Sequence, residues 1–265
     1  FSVVGGGLDN EVSGDAATIG GGWMNKASSQ TATVAGGVSN TASALNATVG
    51  GGWLNEATQE QATVSGGSGN KATNYWATVP GGWNNEANGK HSFAAGTKAR
   101  AQHKGAFVWT DSTNAYLDST RDDQFLVRAS GGITMYTNSA ASIGARLAPG
   151  SGTWASISDR NVKADIAPVD PAQVLARVGA LPISAWSYET QPGVRHIGPM
   201  AQDFYAAFGL GEDDKHVAGL DLGGVSLAAI QGLYALVQKQ ALTIEAQQRL
   251  IDELSTRGEI LEAGR

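Results

Sequence analysis

At 265 residues the chain has room for one large domain or two to three modest ones. Charged residues make up only 16 % and glycine reaches 36 copies, where a packed α/β enzyme carries about 25 % charge and about 7 % glycine. A formal net charge of −6 without any basic run argues against nucleic-acid partners, and the absence of cysteine removes disulfides, thiolate metal sites and cysteine nucleophiles.

The glycine excess is local, with twenty of the 36 lying before residue 112. No apolar stretch approaches the ~20 residues that cross a bilayer, so direct membrane insertion is not expected. A chain that opens on Phe1 rather than methionine reads as a processed or truncated piece of something longer.

The first third is a repeat. The block Ala17–Ala27 returns at Ala32, Ala47, Ala62 and Ala77, so that Thr18, Thr33, Thr48, Thr63 and Thr78 are evenly spaced by fifteen. Asn25, Asn40, Asn55, Asn70 and Asn85 keep the same spacing. A partial copy precedes them, and two copies spaced by fourteen follow from Ser92 and Ala106. Fifteen residues are too few for a helical hairpin, and glycine inside a helix costs ~1 kcal/mol per residue. Each unit offers instead a short Ala-Thr-Val strand, a Gly-Gly turn and a second short segment running from Asn to Ala. Stacked as rungs ~4.8 Å apart, such units make a parallel β-solenoid. Ala17, Ala27, Ala32 and Ala42 suit a thin interior, and the asparagines suit either left-handed turns or a ladder between rungs. So thin a roll buries little alone, which predicts association with sister chains.

These repeats resemble the head repeats of YadA-type trimeric adhesins over residues 1–112. The resemblance implies a left-handed parallel β-roll within a homotrimer. The chain departs from that pattern in its Gly-Gly pairs and its tryptophans. Trp23, Trp53 and Trp83 recur every thirty residues and so form a column two rungs apart. Two roles fit this column: packing between subunits or over the glycine turns, which is preferred, and contact with a surface glycan.

Residues 113–157 read as a β connector without chemistry of its own. Gln124–Arg128 and Ile133–Tyr136 flank Gly131-Gly132 and predict a hairpin, and Pro149–Gly152 predicts a flexible boundary.

Residues 158–228 read as a small α/β unit, with a helix over Pro171–Val178, a strand over Ile183–Tyr188 and a helix over Pro199–Phe208. Residues 229–265 read as a coiled coil. Ile230, Val237, Ile244 and Ile251 hold one set of seven-spaced positions, and Leu233, Gln240, Gln247 and Leu254 the other. Such a seam fits a coiled coil of low order, and a trimer agrees with the repeats upstream.

By spacing alone Ser158 and Lys163 mean little, since residues five apart fall on different faces of a helix or a strand. They can meet only across a turn or between subunits. The surrounding pieces say more: Ser158-Asp159 with Lys163-Ala164-Asp165-Ile166, then Leu181-Pro182-Ile183 with Tyr188, then His196-Ile197-Gly198-Pro199-Met200-Ala201-Gln202-Asp203, then the heptads. In this order they resemble the intramolecular chaperone domain of phage tail spikes and endosialidases, the peptidase S74 family. Pro199 and Asp203 depart from its more usual residues.

That resemblance implies a domain that brings three chains together, guides a β-rich fibre to fold, and then cuts itself off. Carried over, Ser158 is the nucleophile, Lys163 its general base, and the bond between Ile157 and Ser158 the cleavage site. A free lysine, with a pKa near ~10.4, must be buried to act as a base at neutral pH. No cofactor or metal is expected. The overall expectation is a mainly β, self-processing trimeric fibre protein outside the cell, on a virion, a phage-like tail or a bacterial surface. The alternatives are the C-terminal part of a glycan-binding or glycan-degrading phage spike whose catalytic domain lies upstream, and a trimerisation domain that does not cleave.

Overall fold

A computed structural model describes residues 1–263, and the chain divides into two compact units, Phe1–Ile157 and Ser158–Arg265. The first begins with the expected parallel β-solenoid. One parallel sheet climbs from Val3–Val4 to Phe125–Arg128, the other from Glu11–Val12 to Leu117–Asp118. Each rung pairs with the next fifteen residues on, as in Thr18 with Thr33 and Lys26 with Thr41.

The rung works because two-residue strands alternate inward and outward. Ala17, Ile19 and Ala27 are fully buried, as are their counterparts Ala32, Val34 and Ala42. Outward on the second sheet, charges pair along the axis, with Lys26 on Glu11 at 3.0 Å and Lys71 on Glu56 at 3.1 Å. Such exposed pairs contribute little, and the stacked interior holds the roll together.

The asparagines form the ladder. Asn40 donates its backbone N–H to Asn25 Oδ1 at 3.0 Å, and its Nδ2 donates to the Gly36 and Gly52 carbonyls at 3.0 and 2.8 Å. The left-handed residue is the one before each asparagine: Met24, Ser39, Leu54 and Asn84 have φ between 51° and 56°. One glycine per rung is sterically forced. At Gly37 (φ 90°) a Cβ would lie 2.2 Å from the Gly52 carbonyl oxygen and 2.7 Å from Asn40 Nδ2. The ladder and its glycine are therefore one device.

Two sequence expectations need correction. The roll continues past residue 112, and the hairpin of 124–128 with 133–136 does not form. Phe125–Arg128 pairs in parallel with Phe107–Thr110, closing a last and longer rung. Ile133–Tyr136 pairs instead with Gly144–Leu147, which pairs in turn with Trp154–Ser156, giving a three-stranded antiparallel sheet. The reason lies in Phe107 and its stacking partners. The Phe93, Phe107 and Phe125 rings stack at centroid distances of 4.7 and 4.8 Å, which favours continuing the column over a local turn. Asp111 and Arg128 fasten the enlarged loop: Arg128 donates to the Thr113 and Ala115 carbonyls, and Asp111 accepts from the Ser130 and Thr113 N–H groups.

Among its described residues the second unit holds three α-helices: α1 (Pro171–Ala180), α2 (Ala201–Phe208) and α3 (Gly219–Ala263). Asp170 caps α1 by accepting from the Ala172 and Gln173 N–H groups, and Gly209 ends α2 with φ 64°. The strands Ser184–Trp186 and His196–Gly198 pair antiparallel. The start of α3 packs on α1, and Gly232 allows the close approach, since a Cβ there would lie 2.3 Å from the Pro171 carbonyl oxygen. Beyond Gly232 the helix is exposed on all sides through Leu261.

The sequence reading found no apolar stretch of bilayer length. The structure corrects this, since α3 reaches a mean hydropathy of 1.5 over 18 residues and could cross a membrane by length and composition alone. Asp221 and Gln231 interrupt the run and hid it.

Candidate functional site

Ser158 and Lys163 do meet. The chain between them forms a single 3₁₀ turn, Arg160–Val162, and Lys163 Nζ donates to Ser158 Oγ at 2.6 Å. The turn explains the meeting. Asp159 accepts from the Asn161 backbone N–H at 2.9 Å and its side-chain amide at 3.0 Å, which starts the turn. Lys163 then closes it by donating its own N–H to the Arg160 carbonyl at 3.2 Å. The Asp159 side chain is thus a cap, spent on Asn161.

Both residues of the pair are exposed, and with Arg160 and Ile166 they line an open depression of about 290 Å³. Ile166 was visible in the sequence as a motif member, but spacing had no way to tell that a turn would gather it and Arg160 around the pair. Ile157 sits one residue earlier. It is half-buried and its N–H donates to the Gly144 carbonyl at 3.0 Å, extending the antiparallel sheet by one step. The chain therefore leaves its last sheet hydrogen bond and enters the Ser158 turn across one peptide bond. Among the described residues, no group of three His, Asp or Glu side chains is gathered to hold a metal.

A second cluster lies on the hairpin of this unit. The Trp186 and His196 rings stack at 4.7 Å, and Tyr188 meets Trp186 edge-on at 4.9 Å. Trp186 Nε1 and His196 Nε2 are shielded from solvent and have no hydrogen-bond partner among the described residues. Tyr188 and His196 were visible in the sequence as motif members, but their stacking was not.

Residues 158–210 match the family model of peptidase S74, described as the chaperone of endosialidase. The match begins on Ser158 and takes in the dyad, α1, the hairpin and α2. The solenoid and α3 lie outside it. No curated protein matches the chain. The matched segment carries the Ser158–Lys163 contact.

The other predicted residues fall on exposed surfaces. Ile230, Leu233, Val237, Ile244, Ile251 and Leu254 along α3 are 49–66 % exposed, and Gln240 and Gln247 are exposed between them. Trp23, Trp53 and Trp83 form the expected column, bridged through Val38 and Ser68, and are 42–55 % exposed.

Proposed function

We propose that this chain is a self-processing trimeric fibre protein of the tail-fibre or adhesin kind, working outside the cell on a virion, a phage-like tail or a bacterial surface. Its chaperone-of-endosialidase segment and α3 gather three copies, guide the solenoids into register, and are then released by cleavage between Ile157 and Ser158. The Lys163 Nζ to Ser158 Oγ contact of 2.6 Å, inside the matched segment and one bond past the last sheet residue, carries this reading.

The chemistry follows from the contact. A neutral Lys163 amine takes the Ser158 hydroxyl proton as Oγ bonds to the Ile157 carbonyl carbon. The C–N bond then breaks, and the proton passes to the departing Ser158 nitrogen. The resulting ester joins the Ile157 acyl group to Ser158 Oγ. Water hydrolyses it, leaving an Ile157 carboxylate and a free Ser158 with its hydroxyl restored. The pair is exposed in one chain, and the step waits until neighbouring copies exclude water from it, since burial favours the neutral amine. Cleavage thereby reports assembly.

Register is the problem that this order of events solves. Every rung resembles the next, so three solenoids have many misaligned pairings of similar energy, and non-local pairing is slow. A helical seam formed first fixes number and alignment. Its removal leaves a fibre whose persistence is kinetic.

Intact-mass measurement tests the reading. The parent should yield fragments 1–157 and 158–265. Ser158→Ala and Lys163→Arg should each remain a single chain while light scattering still reports three copies, because arginine stays protonated. A verified trimer that stays whole after prolonged incubation overturns the cleavage.

A further inference from the structure

We infer that the second turn of the solenoid rungs carries a binding site for an acidic saccharide, centred on Trp76. The site is complete within one chain, so it goes beyond the trimeric, self-cleaving reading and does not rest on it. Each rung has two turns. The first holds the column of Trp23, Trp53 and Trp83, and the second leads from the second sheet back to the first. On successive rungs this second turn passes through Ala16, Thr31, Asn46, Gln61, Trp76 and His91, all with φ between 54° and 60°.

The turn does not ask for tryptophan. Ala16, Thr31, Asn46 and Gln61 make it with the same backbone, and a bulky side chain at positive φ is disfavoured. Nor does burial offset the strain, since Trp76 is 39 % exposed and Tyr75 beside it 42 %. A strained, exposed aromatic pair on one rung of an otherwise regular array points to a ligand.

Polar groups surround the pair. The Tyr75 and Trp76 rings meet at 43° with centroids 5.7 Å apart, and His91 stacks on Trp76 at 4.8 Å. Trp76 Nε1 donates to Gln61 Oε1 at 2.9 Å, which fixes the ring, and Lys90 Nζ lies 4.9 Å from its centroid. Aromatic rings rimmed by an amide, an imidazole and an ammonium suit a pyranose, which offers a C–H face to a ring and hydroxyls at its edge.

Charge selects the acidic class. Of the six lysines and arginines before residue 112, Lys26, Lys71 and Arg100 pair with glutamates, and Lys98 lies over Trp83 and Tyr116. Lys90 and Lys104 make no ion pair among the described residues, and they follow Tyr75 at the same turn position on the next two rungs. The acids of this corner flank the strip. Asp15 and Glu60 precede the rings, and Asp122 and Asp123 follow Lys104, with Asp122 accepting from the Lys104 backbone N–H at 3.1 Å. A carboxylate on a sugar that lies on the rings meets Lys90 and Lys104 and gains their attraction. From Gln61 to Lys104 the strip covers three rung spacings, about 14 Å, which a short oligosaccharide spans.

The test reads binding of the full chain to immobilised polygalacturonate and alginate, two polymers of uronic acids. Methyl-esterified polygalacturonate keeps the rings without the charge, and polyglutamate keeps the charge without the rings. The parent should bind a uronate polymer more tightly than either control, and added salt should release it. Trp76→Ala should weaken binding by about tenfold, and so should Lys90→Gln combined with Lys104→Gln. Trp53→Ala, on the other turn, should leave it unchanged. Thermal melts accompany each variant, and the lysine pair keeps the inference testable where Trp76→Ala unfolds. A parent that binds neither uronate polymer overturns the inference. Equal binding to polyglutamate overturns it in favour of a plain anion surface, and equal binding to the methyl ester shows that charge is not read and overturns it too. Loss through Trp53→Ala but not through folded Trp76→Ala moves the site to the other turn and overturns this one. Chain number and cleavage are read separately, by light scattering and intact mass, so each of these failures leaves the proposed function standing.

Discussion

The two units settle their stability in opposite ways. From Ala17 to Ala87 the solenoid rungs complete their core within the chain, with Ala, Val or Ile, and Asn columns buried to 0–1 % and the asparagine side chains hydrogen-bonded within their own rung and to adjacent ones. The second unit has a different balance. Among its described residues only Phe204, Ala228 and Ala229 are buried apolar side chains, while Ile197, Leu227, Ile230, Tyr234 and Leu254 stand exposed. A core of three such residues offsets little of the entropy of ordering about a hundred residues. On the proposed function, the solenoid completes its core within a chain and the second unit completes its own between chains. A piece released by the proposed cleavage would have reason to hold its stability in contacts with its sisters, since those contacts would sense whether assembly has occurred.

Breaking the intermolecular half should have the largest effect. Ile244 lies midway along the proposed seam and is 63 % exposed in one chain. Ile244→Asp should abolish the trimer at micromolar concentration, because a buried unpaired charge at each of three sites exceeds what the helix contributes. Cleavage should vanish with it, although Ser158 and Lys163 are untouched. Sedimentation and intact mass read the two outcomes separately. Cleavage persisting in the monomer would leave the chemistry intact and remove its dependence on assembly.

Breaking the intramolecular half should cost stability without touching chain number. Asn55 accepts from the Asn70 N–H at 3.0 Å and donates to the Gly51 and Gly67 carbonyls at 2.8 and 2.9 Å. Asn55→Ala leaves these buried groups short of partners and should destabilise the solenoid by about 2–4 kcal/mol. Asn55→Asp should cost more, because it retains the acceptor but turns a charge toward two carbonyl oxygens. Denaturant midpoints of the trimeric variants check both. An Ala variant equal to the parent would mean that the valine and alanine columns alone hold the rungs.

What could be read beforehand follows the same division. Periodicity exposes whatever repeats, so the inward Ala and Val columns and the tryptophan column were legible from spacing. It fails where spacing changes. Phe93 to Phe107 is a step of fourteen and Phe107 to Phe125 a step of eighteen, so the last rung looked like the start of a hairpin. The asparagine ladder was one of two options, because spacing says that the asparagines align and not which residue takes the left-handed turn. The Ser158–Lys163 pair was legible only through resemblance. Its geometry depends on a turn of three residues capped by Asp159, and nothing periodic announces such a turn.

The smallest expected effect sharpens the boundary of the self-sufficient half. Asp111 holds the enlarged last loop by accepting from the Ser130 N–H at 2.7 Å and the Thr113 N–H at 3.0 Å, with Arg128 Nε at 3.4 Å. The hydrogen bonds from Ser130, then those from Thr113, hold its carboxyl well below the usual carboxylate range. A depressed acid stabilises the fold fully above its unfolded value, near ~3.9, and that contribution is lost as pH falls toward the folded value. Asp111→Asn should therefore lower the melting midpoint slightly at neutral pH, and the gap to the parent should shrink progressively below pH ~4. The rungs up to Thr78 contain no such acid within their interior, so their protection against hydrogen exchange should be indifferent to the substitution at any pH. If protection at Val34 or Val64 fell along with that at Val127, the solenoid would unfold as a single block, and its rungs would not be the independent units that their separate cores suggest.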